Sequence, residues 1–373
     1  MKTGIAILPL DYGRCPRWLF ERMTRLTRGV TTAIIEEFGP GEFLKRLSDP
    51  VWFQSLSCVI GMDWNSSGTT AINLGALKAG LFEIQDQLGI YVCGGKRTSR
   101  ETPKEIEAYG ISRQFSFAPK LIYASKMAAK VDSSLIQDNY QIYQHNFLFT
   151  KSGNWAVVQQ GMNIEDQTAR RYHWLSSALR QAWGKADFIE EPHSGIISDK
   201  KVKPLNLTAK ESDQNREISL RQVSEEPKTF LKNLALIQRH PKQITLLELY
   251  NREFHWHPVV DEKFDLKRLQ KTIFFAQDQN PQSFEQLLSF KNVGPRTIRA
   301  LSLVSEVIYG AKPSYKDPAR YSFSVGGKDG TPFPVDRGVY DQTLAIMEKG
   351  IKKSQISLSE REKAFQRLGN VTK

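Results

Sequence analysis

Between His193 and Pro227 the chain reads HSGIISDKKVKPLNLTAKESDQNREISLRQVSEEP, dense in charge and without a single Phe, Trp or Tyr. A stretch this poor in large apolar side chains buries too little surface to offset the entropy of ordering it. It therefore reads as a linker or long surface excursion with a folding unit on either side. A length of 373 residues accommodates two such units, because single cores stop growing well before that. The expected division is an α+β domain over 1–192, the excursion over 193–227, a mostly α-helical domain over 228–350 and a charged tail over 351–373.

In the first unit TGIAILPL and GIYVC have strand length and composition, and QIYQHNFLF, KSGN and WAVVQQG read as a β-hairpin turned by Ser152, Gly153 and Asn154. Thr102, Pro103 and Glu105 in TPKE predict a capped helix start, SDPVWFQSL predicts a second, and TTAINLGALKAGLFEIQDQLG predicts a helix closed by Gly89. In the second unit TFLKNLALIQ, FDLKRLQKTIFFAQ and SFEQLLSF carry helical apolar spacing. No apolar run approaches the roughly 20 residues of a membrane span, and MKTGIAILPLDYG does not have the pattern of a signal peptide, so the expected location is the cytoplasm. Cys15, Cys58 and Cys93 show neither disulfide nor metal spacing.

Lys and Arg exceed Asp and Glu by 12, a surplus that suits a polyanionic partner. One segment gives that partner a grip. In SFEQLLSFKNVGPRTIRALSLVSEVIYG, Leu287, Leu288, Phe290 and Val293 can seal two antiparallel helices, with Gly294 expected to let the chain turn without a Cβ clash. Pro295 and Thr297 open the second helix, whose first N–H groups and positive dipole end can receive a phosphate oxygen beside Arg296 and Arg299. The segment resembles the helix-hairpin-helix motif, which holds the DNA backbone irrespective of sequence. The alternative is an ordinary αα-hairpin in a helical bundle.

Downstream, FPVDRGVYDQTL is similar to the element that follows the hairpin in helix-hairpin-helix DNA glycosylases, where an apolar–Pro–Val–Asp run opens a helix and its Asp sits in the active site. The resemblance implies a catalytic role for Asp336, which could also be a helix cap. Arg296 stands where bifunctional members carry Lys, and a guanidinium stays protonated, which argues against a Schiff-base lyase step. Nearly the whole chain resembles one prokaryotic family, domain of unknown function family 763, common in archaea and heat-loving bacteria. TGIAILPL, DPVWFQSL, GMDWNSSGTT, GALKAGL, GGK, GNWAVVQQGMN, ARRYHWL and DPARYSF…GGKDG…PFPVDR carry that similarity.

Other motifs supply candidate contacts. Ser66, Ser67 and Thr69 in DWNSSGTT bring hydroxyls and N–H groups to a helix start, where either phosphate binding or plain capping accounts for them. CGGKRTSRETPK reads as a flexible basic loop offering Lys96, Arg97 and Arg100 to a nucleic-acid backbone, or as a solvated loop. QTARRYHWLSSALRQAW reads as a helix with Arg170, Arg171, His173, Trp174, Arg180 and Trp183, whose basic and aromatic face could track phosphates; the alternative puts its aromatic side chains in the core. His255 and His257 form a two-residue metal possibility without a third ligand, and Asp63, Asp329 and Asp341 are candidate carboxylates for Mg2+ or Mn2+. No nucleotide or redox cofactor motif is present. The favoured expectation is a DNA-repair endonuclease acting on damaged or distorted DNA, with a monofunctional glycosylase or a non-catalytic DNA-binding adaptor as alternatives.

Overall fold

The computed structural model describes residues 8–10, 13, 15–62, 66–96, 101–179, 181–182, 185–198, 200–239, 262–319, 345, 347–352 and 357–371. A five-stranded antiparallel sheet stands at its centre. Its strands are β1 (Ile90–Lys96), β3 (Gln141–Thr150), β4 (Trp155–Asn163), β5 (Thr168–Leu175) and β8 (His193–Ser198), paired in that order. Two short ladders flank it, β2 (Ile136–Gln137) with β9 (Leu205–Asn206), and β6 (Gln181–Ala182) with β7 (Lys185–Ala186). The expected β3–β4 hairpin forms, with Phe149 opposite Trp155 and Gly153 in the left-handed region at φ 83°. Leu8 and Leu10 extend the pairing beside β5, through Ala169 N–H to Leu8 O and Leu10 N–H to Gln167 O.

Helices cover both faces. On one side Ile90, Val92, Leu148, Ala156, Val158 and Leu175 pack against α1 (Arg17–Leu47), α2 (Pro50–Ile60) and α3 (Ser67–Leu81), with α12 (Leu358–Val371) outside them. α1 bends at Gly39 and Pro40, where φ of 82° and a missing N–H interrupt the helix. Asp49 caps α2 by accepting from Val51 and Trp52 N–H. On the other side Tyr91, Cys93, Phe147, Phe149, Trp155, Val157 and Trp174 meet α5 (Thr102–Arg113) and α6 (Ala118–Ser134). The helix expected from Thr69 to Gly89 is broken after Leu81, and the one-turn α4 (Gln85–Leu88) then ends at Gly89, the cap expected there.

That second core continues into α7 (Asp213–Ser224), α8 (Pro227–Arg239), α9 (Leu266–Asp278), α10 (Phe284–Ser289) and α11 (Pro295–Tyr309), so sheet and C-terminal helices share one interior. The expected excursion over 193–227 is therefore corrected: it supplies β8, β9 and α7. Several of its polar side chains, Asn206, Asn215, Arg216 and Gln222 among them, are buried with hydrogen-bond partners rather than left in water. Arg216 Nη1 donates to Leu207 O and Ala209 O at 2.8 and 2.7 Å, and Asn215 Nδ2 to Ala311 O at 2.6 Å.

Three local readings also change. Residues 168–175 are a strand, not a helix, because a period of two puts Arg170 and Trp174 on one face as surely as a helical turn does. The paired glycines of CGGK lie within β1, where Gly94 takes φ 83° and its N–H donates to Glu105, rather than in a flexible loop. Glu105 consequently does not complete a capping box; its carboxylate also binds Lys78 Nζ at 2.6 Å.

Candidate functional site

On the α1–α3 side the apolar sheet face is interrupted by a polar row. Register places Lys96, Gln144, Gln160 and Arg171 side by side on β1, β3, β4 and β5. A bulge between Ile142 and Gln144 leaves Tyr143 unpaired, and its hydroxyl accepts from Gln160 Nε2. The first turn of α3 lies over the row: Thr70 Oγ1 donates to Gln160 Oε1 at 2.6 Å, and Gln160 Nε2 to Ser67 O at 3.0 Å. Arg171, wholly buried, stacks its guanidinium over Phe53 at 4.6 Å, and burial pushes its pKa down to about 9. His173 sits edge-on to the same ring; burial first, and Arg171 second, hold its imidazole well below the usual range.

The opposite face carries two further networks. Arg170 is wholly buried between Asp138 at 2.8 Å and the two Asp317 oxygens at 3.1 and 2.8 Å, with Tyr172 Oη donating to Asp138. Burial would lower its pKa, but the carboxylates more than offset this and raise it. Beside them Asp132 gathers Gln159 Nε2, Trp174 Nε1 at 3.0 Å and His193 Nε2 at 2.5 Å. Gln159 Oε1 in turn lies 2.7 Å from His145 Nδ1, and His145 Nε2 2.9 Å from Ser125 Oγ. The order Ser–His–Gln–Asp has the parts of a hydrolytic relay, but Ser125 and His145 are 2% and 1% exposed, so no substrate reaches the hydroxyl.

These positions decide what the expected contact residues present. Arg170, Arg171 and His173 are enclosed in the sheet's two interfaces and offer no basic surface. Ser66 and Thr69 are buried and cap each other, Ser66 N–H to Thr69 Oγ1 and Thr69 N–H to Ser66 Oγ, while Ser67 N–H donates to Pro9 O. The N–H groups of Ser66, Ser67 and Thr69 are thus engaged within the chain, and capping is the role that Ser66 and Thr69 display. Lys96 is exposed at the end of β1 with Nζ 5.9 Å from the Tyr143 ring. Asp63, Arg97, Arg100, Arg180, Trp183, His255, His257, Asp329, Asp336 and Asp341 lie outside the described residues. Among the described residues no three His, Cys, Asp or Glu side chains group as metal ligands.

The helix pair α10–α11 presents exposed basic charge at its turn. Val293 and Thr297 are buried and fasten the turn, while Lys291, Asn292, Pro295 and Arg296 face solvent. Gly294 has φ −139° and ψ −170°, an extended backbone open to any residue, so the expected need for glycine's turning freedom is not met. What glycine leaves is room: a Cβ there would meet nothing within 4 Å. The Arg296 side chain is 74% exposed with Glu262 at 3.8 Å, whereas Arg299 is held by Glu262 at 2.7 Å and donates to Gln137 at 2.9 Å. Sequence reasoning missed Lys130. From α6 its ammonium donates to Leu288 O at 2.6 Å, to Phe290 O and to Val293 O at 3.2 Å, inside the turn. A separation of about 160 residues leaves no spacing signal by which to find it.

A family model described as "Protein of unknown function (DUF763)" matches residues 4–335. No curated protein and no solved structure matches the chain.

Proposed function

We propose that this chain, which belongs to the DUF763 family of proteins of unknown function, is a DNA-binding repair enzyme that holds the duplex backbone through the α10–α11 turn. The observation that carries the reading is the exposed head of α11. There Arg296 projects into solvent, Gly294 leaves space for close approach, and the first-turn N–H groups have no partner within the helix. Such a surface suits phosphate contact without base readout, in the manner of a helix-hairpin-helix. The net charge of +12 supports the same partner. Among the described residues no helix is long and apolar enough to cross a membrane.

The proposed reaction is cleavage at damaged or distorted DNA, with Asp336 as the candidate catalytic carboxylate and Mg2+ or Mn2+ as the candidate metal. The deciding experiment incubates the protein with end-labelled duplexes, undamaged or bearing uracil, an abasic site or ultraviolet damage, with and without EDTA, before and after hot alkali. Breaks that need no alkali and vanish in EDTA support the metal endonuclease. Breaks that appear only after alkali move the reaction to base release by Asp336. In the same assay Arg296→Ala should weaken binding to all duplex sequences alike and flatten the salt dependence by about one phosphate contact; a loss confined to particular sequences, or no binding by the wild type, would overturn the reading.

A further inference from the structure

One face of α6 and the residues just beyond it meet the α10–α11 pair at a regular interval. Tyr123 donates from its hydroxyl to Glu285 on α10 at 2.5 Å. Seven residues on, Lys130 reaches the three turn carbonyls. Seven further, Gln137 donates to Pro295 O at 3.2 Å and accepts from Arg299. Tyr123 and Lys130, seven apart, lie on one stripe of α6, and Gln137 on β2 continues the polar contacts just beyond its end. Lys130 is the middle of these contacts and is partly buried, and its acceptors are backbone oxygens, of which Phe290 O also accepts the Val293 N–H.

An ammonium with three N–H donors matches three converging carbonyls. Drawing those oxygens inward fixes the peptide planes of the turn, and fixed planes leave the N–H side at the head of α11 facing outward. We infer that Lys130 is the positioning residue of the DNA-contacting turn: held by its ammonium, the turn presents the head of α11 to a backbone phosphate without Lys130 itself touching DNA. This rests on the DNA-binding reading above. It adds that the phosphate seat is assembled with the sheet-packed α6 of the same chain and is not a property of the α10–α11 sequence alone.

The test compares wild type, Lys130→Met and Lys130→Ala. Met keeps the length of the side chain without the charge, so it separates loss of the ammonium from loss of volume. Both variants should bind a short duplex at least about tenfold more weakly, and amide hydrogen exchange in the free proteins should quicken at residues 294–298 while the sheet strands keep their protection. Propylammonium should restore binding to Lys130→Ala when compared with tetramethylammonium at equal ionic strength, because only the former donates N–H groups. Wild-type affinity in Lys130→Met, or failure of propylammonium to rescue, would overturn the inference and leave the DNA reading standing. If the wild type bound no duplex, the DNA reading would fall; exchange at 294–298 would then decide Lys130 separately, and unchanged exchange would remove its positioning role as well.

Discussion

Arg170 and Arg171 are neighbours in β5 and reach equal burial by different chemistry, one between two carboxylates and the other over the Phe53 ring. Neither environment was legible in ARRYHWL, since Asp138 and Asp317 lie 32 and 147 residues away in the chain. A buried carboxylate that sequence reasoning did not single out carries a sharper expectation. Glu306 on α11 is 2% exposed and accepts from the Tyr315 hydroxyl, and burial raises its pKa from 4.5 to about 7. A carboxyl raised on folding contributes stability that is complete below its unfolded pKa and is lost as pH rises through the folded one. Glu306→Gln, which stays neutral, should therefore gain about 3 kcal/mol relative to wild type between pH 4.5 and pH 8. Urea unfolding at both pH values checks this, and a constant difference would mean that Glu306 does not titrate in that window.

Elements were legible where local chemistry decides them. The β3–β4 hairpin, the Asp49-capped start of α2, Gly89 and the α10–α11 pair all form where their residues indicate. An element was misread where both faces are covered: β5 is buried along its whole length, so no polar and apolar alternation marks it, and its strand period hides behind residues four apart. Two glycines separate structural from functional need. A Cβ at Gly94 would stand 2.1 Å from His145 O and 2.6 Å from Thr102 Oγ1 at φ of +83°. Gly94→Ala should cost more than about 2 kcal/mol, or prevent folding. Gly294→Ala should cost about 1 kcal/mol or less, yet weaken DNA binding by placing a methyl in the open approach. Thermal unfolding and duplex binding of both variants test the pair; the reverse order of stabilities would refute it.

At the scale of the whole molecule, the expected seam at 193–227 fails because composition reports apolar content, whereas α7 enters the core with Asn215, Arg216, Ser219 and Gln222 as well as Val223. Hydrogen bonds to distant backbone do there what large side chains do elsewhere, and their partners are not adjacent in sequence. One shared interior implies one cooperative unit. Calorimetry should show a single unfolding transition, and a chain ending at residue 192 should not fold, since it would lose β8 from the sheet and bare the side of α6 that α10 and α11 cover. Two resolved transitions, or a folded fragment, would restore the two-unit division.

The placement of Cys93 makes this molecule its own gauge of breathing. Among the described residues β1 pairs only with β3 and so forms one margin of the sheet, and Cys93 faces inward from it, wholly buried, with burial pushing its thiol up. A thiol in that position reacts only when the margin peels away. The rate at which an alkylating reagent marks Cys93 under native conditions thus measures how often β1 detaches, and Cys15, part exposed, supplies an internal clock for the reagent itself.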